Sequence, residues 1–184
     1  VIDRYSSDGT AEIAFLSGAK VVQDEANYSQ ALRLGAGIAT TRYILILDSD
    51  VIVNPHFYGK LKPYIERHFV TKGVFYHKMN WEKLSDWLFR RSWGEIAGLD
   101  AAFVERKTFL ALTRDWDKGQ VDAGADMVLF RICRQQGIPV VQLSNVVNMH
   151  LTVHFSRIWK QQIWYGRSDN ASFRHPAPYP IIHL

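Results

Sequence analysis

The sequence predicts an α/β fold, one mostly parallel sheet flanked by helices, and three observations predict it. Apolar periodicity switches repeatedly between the two-residue repeat of strands and the 3.6-residue repeat of helices. Over residues 1–65 the order is strand, helix, strand, helix, strand, helix, the rhythm of a parallel sheet with crossover helices. Glycines close two of the helical stretches, at Gly18 and Gly137. The chain has 184 residues, 47% of them hydrophobic, enough for one sizeable core and too few for two, so a single domain over 1–184 is expected.

Each element follows from its local pattern. Val1 to Asp3 reads as the tail of a strand, and "SSDGT" as a turn that caps a helix from Thr10 to Gly18. "AKVVQ" is a short second strand. "NYSQALRLGAGI", 27–38, has Ala31, Leu32, Leu34 and Ile38 at helical spacing, weakened by two glycines. The aliphatic run 43–47 reads as a buried strand. The helix after Pro55 carries Phe57, Leu61 and Ile65. Beyond residue 70 the order loosens. "VTKGVFYHKM" reads as a strand, "WEKLSDWLFRR" as a helix, "AGLDAAFVE" as a strand or turn, and "KTFLAL" as a short helix. "ADMVLFRICRQQG" is the clearest later helix, with Met127, Phe130 and Cys133 to one side. "IPVVQL" and "NVVNMHL" read as two further short strands, 155–184 as a C-terminal helix and tail, and "RHPAPYP" within it as an exit linker.

Composition excludes several classes. A net charge of +4 and a pI near 9.2 suit contact with phosphates or an anionic membrane face. The Lys and Arg residues are dispersed, not gathered on one face, so no nucleic-acid partner is expected. One cysteine, Cys133, excludes an internal disulfide framework and a cysteine zinc site, and suits a reducing, cytoplasmic compartment. No apolar run reaches transmembrane length. "HFSRIWKQQIWYGRS" sets Phe155, Ile158, Trp159 and Ile163 at helical spacing among Arg157, Lys160 and Arg167. Such a helix suits peripheral association with the cytoplasmic face of a membrane, and equally suits packing on the sheet.

The candidate chemistry begins at "ILILDSDVIVNP", where a strand ends in Asp48 and Asp50. In open parallel sheets ligands bind beyond the carboxyl ends of the strands. Two carboxylates there repel each other unless a hard divalent cation, Mg2+ or Mn2+, joins them, and such a cation completes its shell with water and substrate phosphates. Twelve aspartates make one Asp-x-Asp expected by chance alone. Asp115-Trp116-Asp117 has the same spacing without a strand before it and reads as turn and cap chemistry.

Four segments in order carry a resemblance to the family 2 glycosyltransferases. "VIDRYSSDGTAEIA" resembles that family's "DxGSxDGT", and "NYSQALRLGAGIATTRYILILDSDVIV" its glycine-containing helix and DxD strand. "GADMVLFRICRQQGIPV" is similar to its "ED-x-x-L-x-x-R" helix, and "VVNMH" to a strand ending in histidine. The resemblance implies a GT-A, Rossmann-like fold and an inverting, metal-dependent transfer of a hexose. The donor would be a nucleotide-diphosphate sugar, UDP before GDP, and the acceptor a glycan or lipid-linked hydroxyl. It implies that Asp3 recognises the base, that Asp48 lies near ribose and metal, and that Asp50 is the principal ligand of Mn2+ or Mg2+. Asp126 would be the general base and His150 would complete the metal shell. Arg33 falls where family members carry a residue near the nucleotide.

From the residues alone, Asp3 reads equally as a turn carboxylate accepting the amides of Ser6 or Ser7. Asp126 reads as a first-turn charge facing the helix dipole, and His150 as a structural histidine. Arg131 and Arg134 read as surface or salt-bridge residues. The chain departs from the family in three ways: Ala125 stands where Glu usually precedes Asp126, Arg4 and Tyr5 replace small or acidic residues, and a first strand before Val1 is lacking, which suggests a partial chain. Two alternatives share this architecture, a non-catalytic nucleotide- or carbohydrate-binding domain and a nucleotidyltransferase. The second would show a glycine-rich phosphate loop near its start, absent here.

Overall fold

The structure is a computed structural model that describes residues 1–76, 98–118, 124–150 and 182–183. The helix expected at 81–91 and the amphipathic stretch 154–168 lie outside them. The elements are β1 (Ile2–Asp3), α1 (Thr10–Leu16), β2 (Val22–Gln23), α2 (Tyr28–Ile38), β3 (Tyr43–Ile46), β4 (Val51–Ile52) and α3 (Phe57–Ile65), then β5 (Val70–Tyr76), β6 (Ala102–Glu105), α4 (Arg106–Leu112), α5 (Ala125–Gln135), β7 (Val140–His150) and β8 (Ile182–His183).

Local chemistry starts the helices where expected. Asp8 accepts from the Thr10 amide and hydroxyl at 3.1 and 2.6 Å, opening α1. Asn27 and Gln30 form a reciprocal capping box on α2. Glu105 accepts from the Thr108 amide at 2.7 Å, capping α4. In α3 and α5 the buried residues include those the spacing marks, Phe57, Leu61 and Ile65 in one and Met127, Phe130 and Cys133 in the other.

The main sheet runs β3-β6-β5-β7-β4, with β8 on β7, and β1 pairs with β2 in a small parallel sheet. β3, β5, β7 and β8 share one direction, while β6 and β4 oppose it. The sheet is mixed and mostly parallel in sense. Helices pack both faces: Val70, Val104, Phe109, Leu129 and Phe130 belong to one core layer, and Phe57, Leu61, Val141 and Val146 to the other. Each fully buried Leu or Phe in these layers contributes about 1.5–3 kcal/mol.

Two strand readings are corrected. "IPVVQL" and "NVVNMHL" form one strand, β7, because the pairing to β5 steps from Gly73↔Leu143 to Val74↔Val147 and the intervening residues bulge. The bulge needs Gly73, since a Cβ there would lie 2.3 Å from the Val146 carbonyl oxygen. The run 43–47 is also not wholly buried. Among the described residues β3 pairs only with β6, and Leu45 and Leu47 are 38% and 49% exposed. Its free edge and that of β1 border one groove of about 1000 Å³, which also takes in Ala31, Leu32 and Ile38 of α2 and ends at Asp48 and Asp50. This groove explains why the apolar face of α2 is only partly buried.

Candidate active site

A non-local register builds the site. β3 and β6 run antiparallel with Ile46 opposite Ala102. Continuing two residues past each strand brings Asp48, at the carboxyl end of β3, toward Asp100, at the amino end of β6. Their carboxyl groups interact directly. Asp126 arrives from a third element, the first turn of α5, whose N-cap Gly124 sits at φ 78°. Asp100 acts on both Asp48 and Asp126.

The electrostatics of this corner are those of crowded acids. Burial pushes the Asp48 carboxyl up to about 7 from an ordinary 3.8, with the charges of Asp100 and Asp50 next in size. The Tyr28 hydroxyl, donating to Asp48 Oδ1 at 3.4 Å, pulls slightly the other way. Asp126 is also raised, first by burial and then by Asp100. Against this work its bond from the Met127 amide at 2.8 Å, the Lys72 ammonium and the Gly98 amide. The first-turn reading of Asp126 is therefore realised, and it holds the carboxylate in place.

The donor chemistry fits a divalent cation. Asp48 and Asp50 flank a tight turn closed by the Val51 amide on the Asp48 carbonyl at 3.2 Å, so both carboxylates share one corner. Asp100 is a further carboxylate beside Asp48. β4 pairs antiparallel with β7 so that His150 is opposite Val51, one residue from Asp50. Among the described residues no three His, Cys, Asp or Glu side chains form a ready cage. Mg2+ and Mn2+ are bound by one or two carboxylates together with substrate phosphates, and Asp48 and Asp50 are donors of that type.

Two expected residues stand apart from this corner. Asp3, 3% exposed, accepts from the Ser6 amide at 3.1 Å and from Gln23 Nε2 at 3.0 Å. The Ser6 side chain first, then Gln23, hold its carboxyl below the usual range, with the Ser6 amide adding a smaller share. The turn-carboxylate reading is thus present, and lone pairs remain for a further donor. Arg33 donates from Nη1 to the Leu110 carbonyl at 2.5 Å and to the Thr113 hydroxyl at 3.3 Å, tying α2 to α4. It does not line the groove that ends at Asp48. The control pair Asp115 and Asp117 lies in a 3-10 turn whose Trp116 is buried edge-on against Phe109, 5.8 Å between centroids.

Sequence reasoning passed over Asp100, Tyr28 and Lys72. Asp100 carried no local signal beyond its place at the start of "AGLDAAFVE". The pairing of 43–46 with 102–105 would have found it, and that pairing is set by residues some sixty positions apart.

The family model for "Glycosyl transferase family 2" matches residues 1–131. No curated protein matches the chain. Among solved structures, it is similar to glucosyl-3-phosphoglycerate synthase from Mycobacterium tuberculosis in complex with Mn2+ and UDP-glucose, at 19% identity and TM-score 0.62 over 91% of this chain and 66% of that one. The same enzyme with Mn2+, UDP and phosphoglyceric acid gives 18% and 0.65 over 96% and 68%. Mannosyl-3-phosphoglycerate synthase from Rubrobacter xylanophilus gives 18% and 0.63 over 91% and 60%. The chain spans roughly three-fifths to two-thirds of the length of these relatives, and at such identities the likeness is one of fold. With residues 1–131 of its 184 matched by the family model and a GT-A architecture throughout the described residues, the chain belongs to glycosyl transferase family 2.

Proposed function

We propose that this chain is an inverting hexosyltransferase that moves a sugar from a nucleotide-diphosphate sugar, UDP before GDP, to an acceptor hydroxyl, using Mn2+ or Mg2+. The observation that carries the reading is the meeting of Asp48, Asp100 and Asp126 from three separate elements at the carboxyl end of β3. Crowding that many acids destabilises a fold, and such costs are retained mainly at functional sites.

Asp50 and Asp48 would hold the cation, with His150 on the neighbouring strand. When bound, the cation supplies charge neutralisation at the diphosphate. The remaining chemistry belongs to the chain. Asp126, its carboxyl raised by burial and by Asp100, is a better proton acceptor than an exposed aspartate. The Met127 and Gly98 amides hold it rigidly for an incoming acceptor hydroxyl. One in-line attack on the anomeric carbon inverts its configuration and calls for no nucleophilic side chain. Asp3 would receive the base at its remaining lone pairs. The related synthases were crystallised with UDP-glucose and with phosphoglyceric acid, which supports UDP as the nucleotide and adds small phosphorylated acids to the glycan and lipid-linked acceptors to be screened.

The test is turnover of a panel of nucleotide sugars with Mn2+, with and without those acceptors, in the intact protein and in Asp50→Ala and Asp126→Asn. The first variant should lose metal-dependent turnover. The second should lose about 10²–10⁴-fold in kcat while still binding donor. Unchanged turnover in Asp50→Ala would overturn the metal assignment.

A further inference from the structure

Lys72 has 1% of its surface exposed and, among the described residues, is the largest of the fully buried side chains. Strand alternation places it on the same face of β5 as Val70, whose layer includes Leu129 and Phe130 of α5. An ammonium in such a layer is strongly disfavoured without partners, so its presence needs a reason that packing does not supply. Its Nζ donates to the Gly98 carbonyl at 2.5 Å.

Gly98 opens the turn that delivers Asp100. Both Gly98 (φ 87°) and Ala101 (φ 60°) are left-handed, and the turn folds the Asp100 carboxylate back so tightly that a Cβ on Gly98 would lie 2.4 Å from Asp100 Oδ2. The Gly98 amide lies near enough to the Asp126 carboxylate to favour its charged form. The two peptide units that meet at Gly98 are thus held from opposite sides, one by Lys72 from the sheet and one by Asp126 from α5. Gly98 adopts this conformation without steric cost, but Ala101 does not, and a left-handed alanine persists only when its surroundings hold it.

We propose that Lys72 is a positioning residue for the transfer reaction: by gripping the Gly98 carbonyl it fixes the Gly98–Ala101 turn, and through that turn it sets where Asp126 and Asp100 stand. The inference rests on the reading of Asp126 as the base. Lys72 is buried beneath the turn and acts through it. Its loss therefore acts on the orientation of a group that must meet a hydroxyl at hydrogen-bonding distance, where displacement of about 1 Å lowers rate by up to about 100-fold.

The experiment compares Lys72→Met with Lys72→Gln, which can still donate to the Gly98 carbonyl, measuring kcat, donor KM and the protection of the Gly98 amide from hydrogen exchange. Lys72→Met should lower kcat about 10- to 100-fold with donor KM within about twofold, and speed Gly98 exchange at least about tenfold relative to amides of the β5–β7 ladder. Lys72→Gln should recover most of both. A kcat within about threefold of wild type in Lys72→Met, or equal losses in Met and Gln, overturns the proposal. Should Lys72→Met not fold, Gly98→Ala displaces the same turn with Lys72 intact and should show the same split, while unchanged kcat there overturns the proposal. A wild-type chain with no turnover would sink the glycosyltransferase reading alone. Gly98 exchange then decides for Lys72, and protection unchanged in the Gln and Met variants rejects it.

Discussion

Replacing Asp100 by Asn should make the metal-free protein more stable at neutral pH and leave it nearly unchanged in acid. Asp48 titrates near 3.8 when unfolded and near 7 when folded. Between about pH 4 and about pH 7 the unfolded chain releases this proton and the folded chain keeps it, so stability falls across that window and stays lowered above it. A rise of about three pH units, at about 1.4 kcal/mol each, amounts to ~4 kcal/mol lost by neutral pH. Burial is the largest cause and Asp100 the second, so removing the Asp100 charge should return about 1–2 kcal/mol of it. Asp126, raised in the same direction and with Asp100 again the second cause, adds to the effect. For a chain of this size that is a Tm increase of about 3–6 °C near pH 8, shrinking toward zero near pH 4. The assay is thermal unfolding of wild type and Asp100→Asn in chelator across that range. Comparing the two pH limits cancels any packing change from the amide itself. Parallel curves, or a variant that loses stability as pH rises faster than wild type does, would refute the crowding of acids at this corner.

Two further predictions concern the scaffold. Gly73→Ala should destabilise by about 2–4 kcal/mol, because its methyl would meet the Val146 carbonyl at 2.3 Å and the side chain at 3.0 Å and force the β7 bulge outward; a urea midpoint within error of wild type would refute that close approach. Cys133, buried and with its thiol pushed up to about 12 by burial, should resist alkylation in the native protein at pH 8 and react fully in denaturant; rapid native modification would contradict its burial.

Legibility divided along the line between local and non-local physics. Helix starts and buried faces were legible, since a capping box such as Asn27 with Gln30, or the four-residue spacing of Phe57, Leu61 and Ile65, is complete within one or two turns. The Asp48 and Asp50 corner was legible for a related reason: an aliphatic run ending in two acids marks the carboxyl end of a strand without reference to the rest of the chain. The β7 bulge was not, because "VVQLSNVVNMH" reads as two strands until Gly73 of another strand accepts the Val146 carbonyl against its Cα.

By itself, then, the sequence determined the alternation of strands and helices, carried by spacings short enough for local sterics and hydrogen bonding to enforce, and it held the family resemblance that singles out Asp48, Asp50 and Asp126. Only the tertiary structure decided that Asp100 joins them, that Lys72 is buried beneath Gly98, and that Arg33 ties α2 to α4. Those contacts depend on the antiparallel register of β3 with β6 and on how α5 settles over the sheet, and both are chosen by burial and pairing summed over residues far apart in the chain.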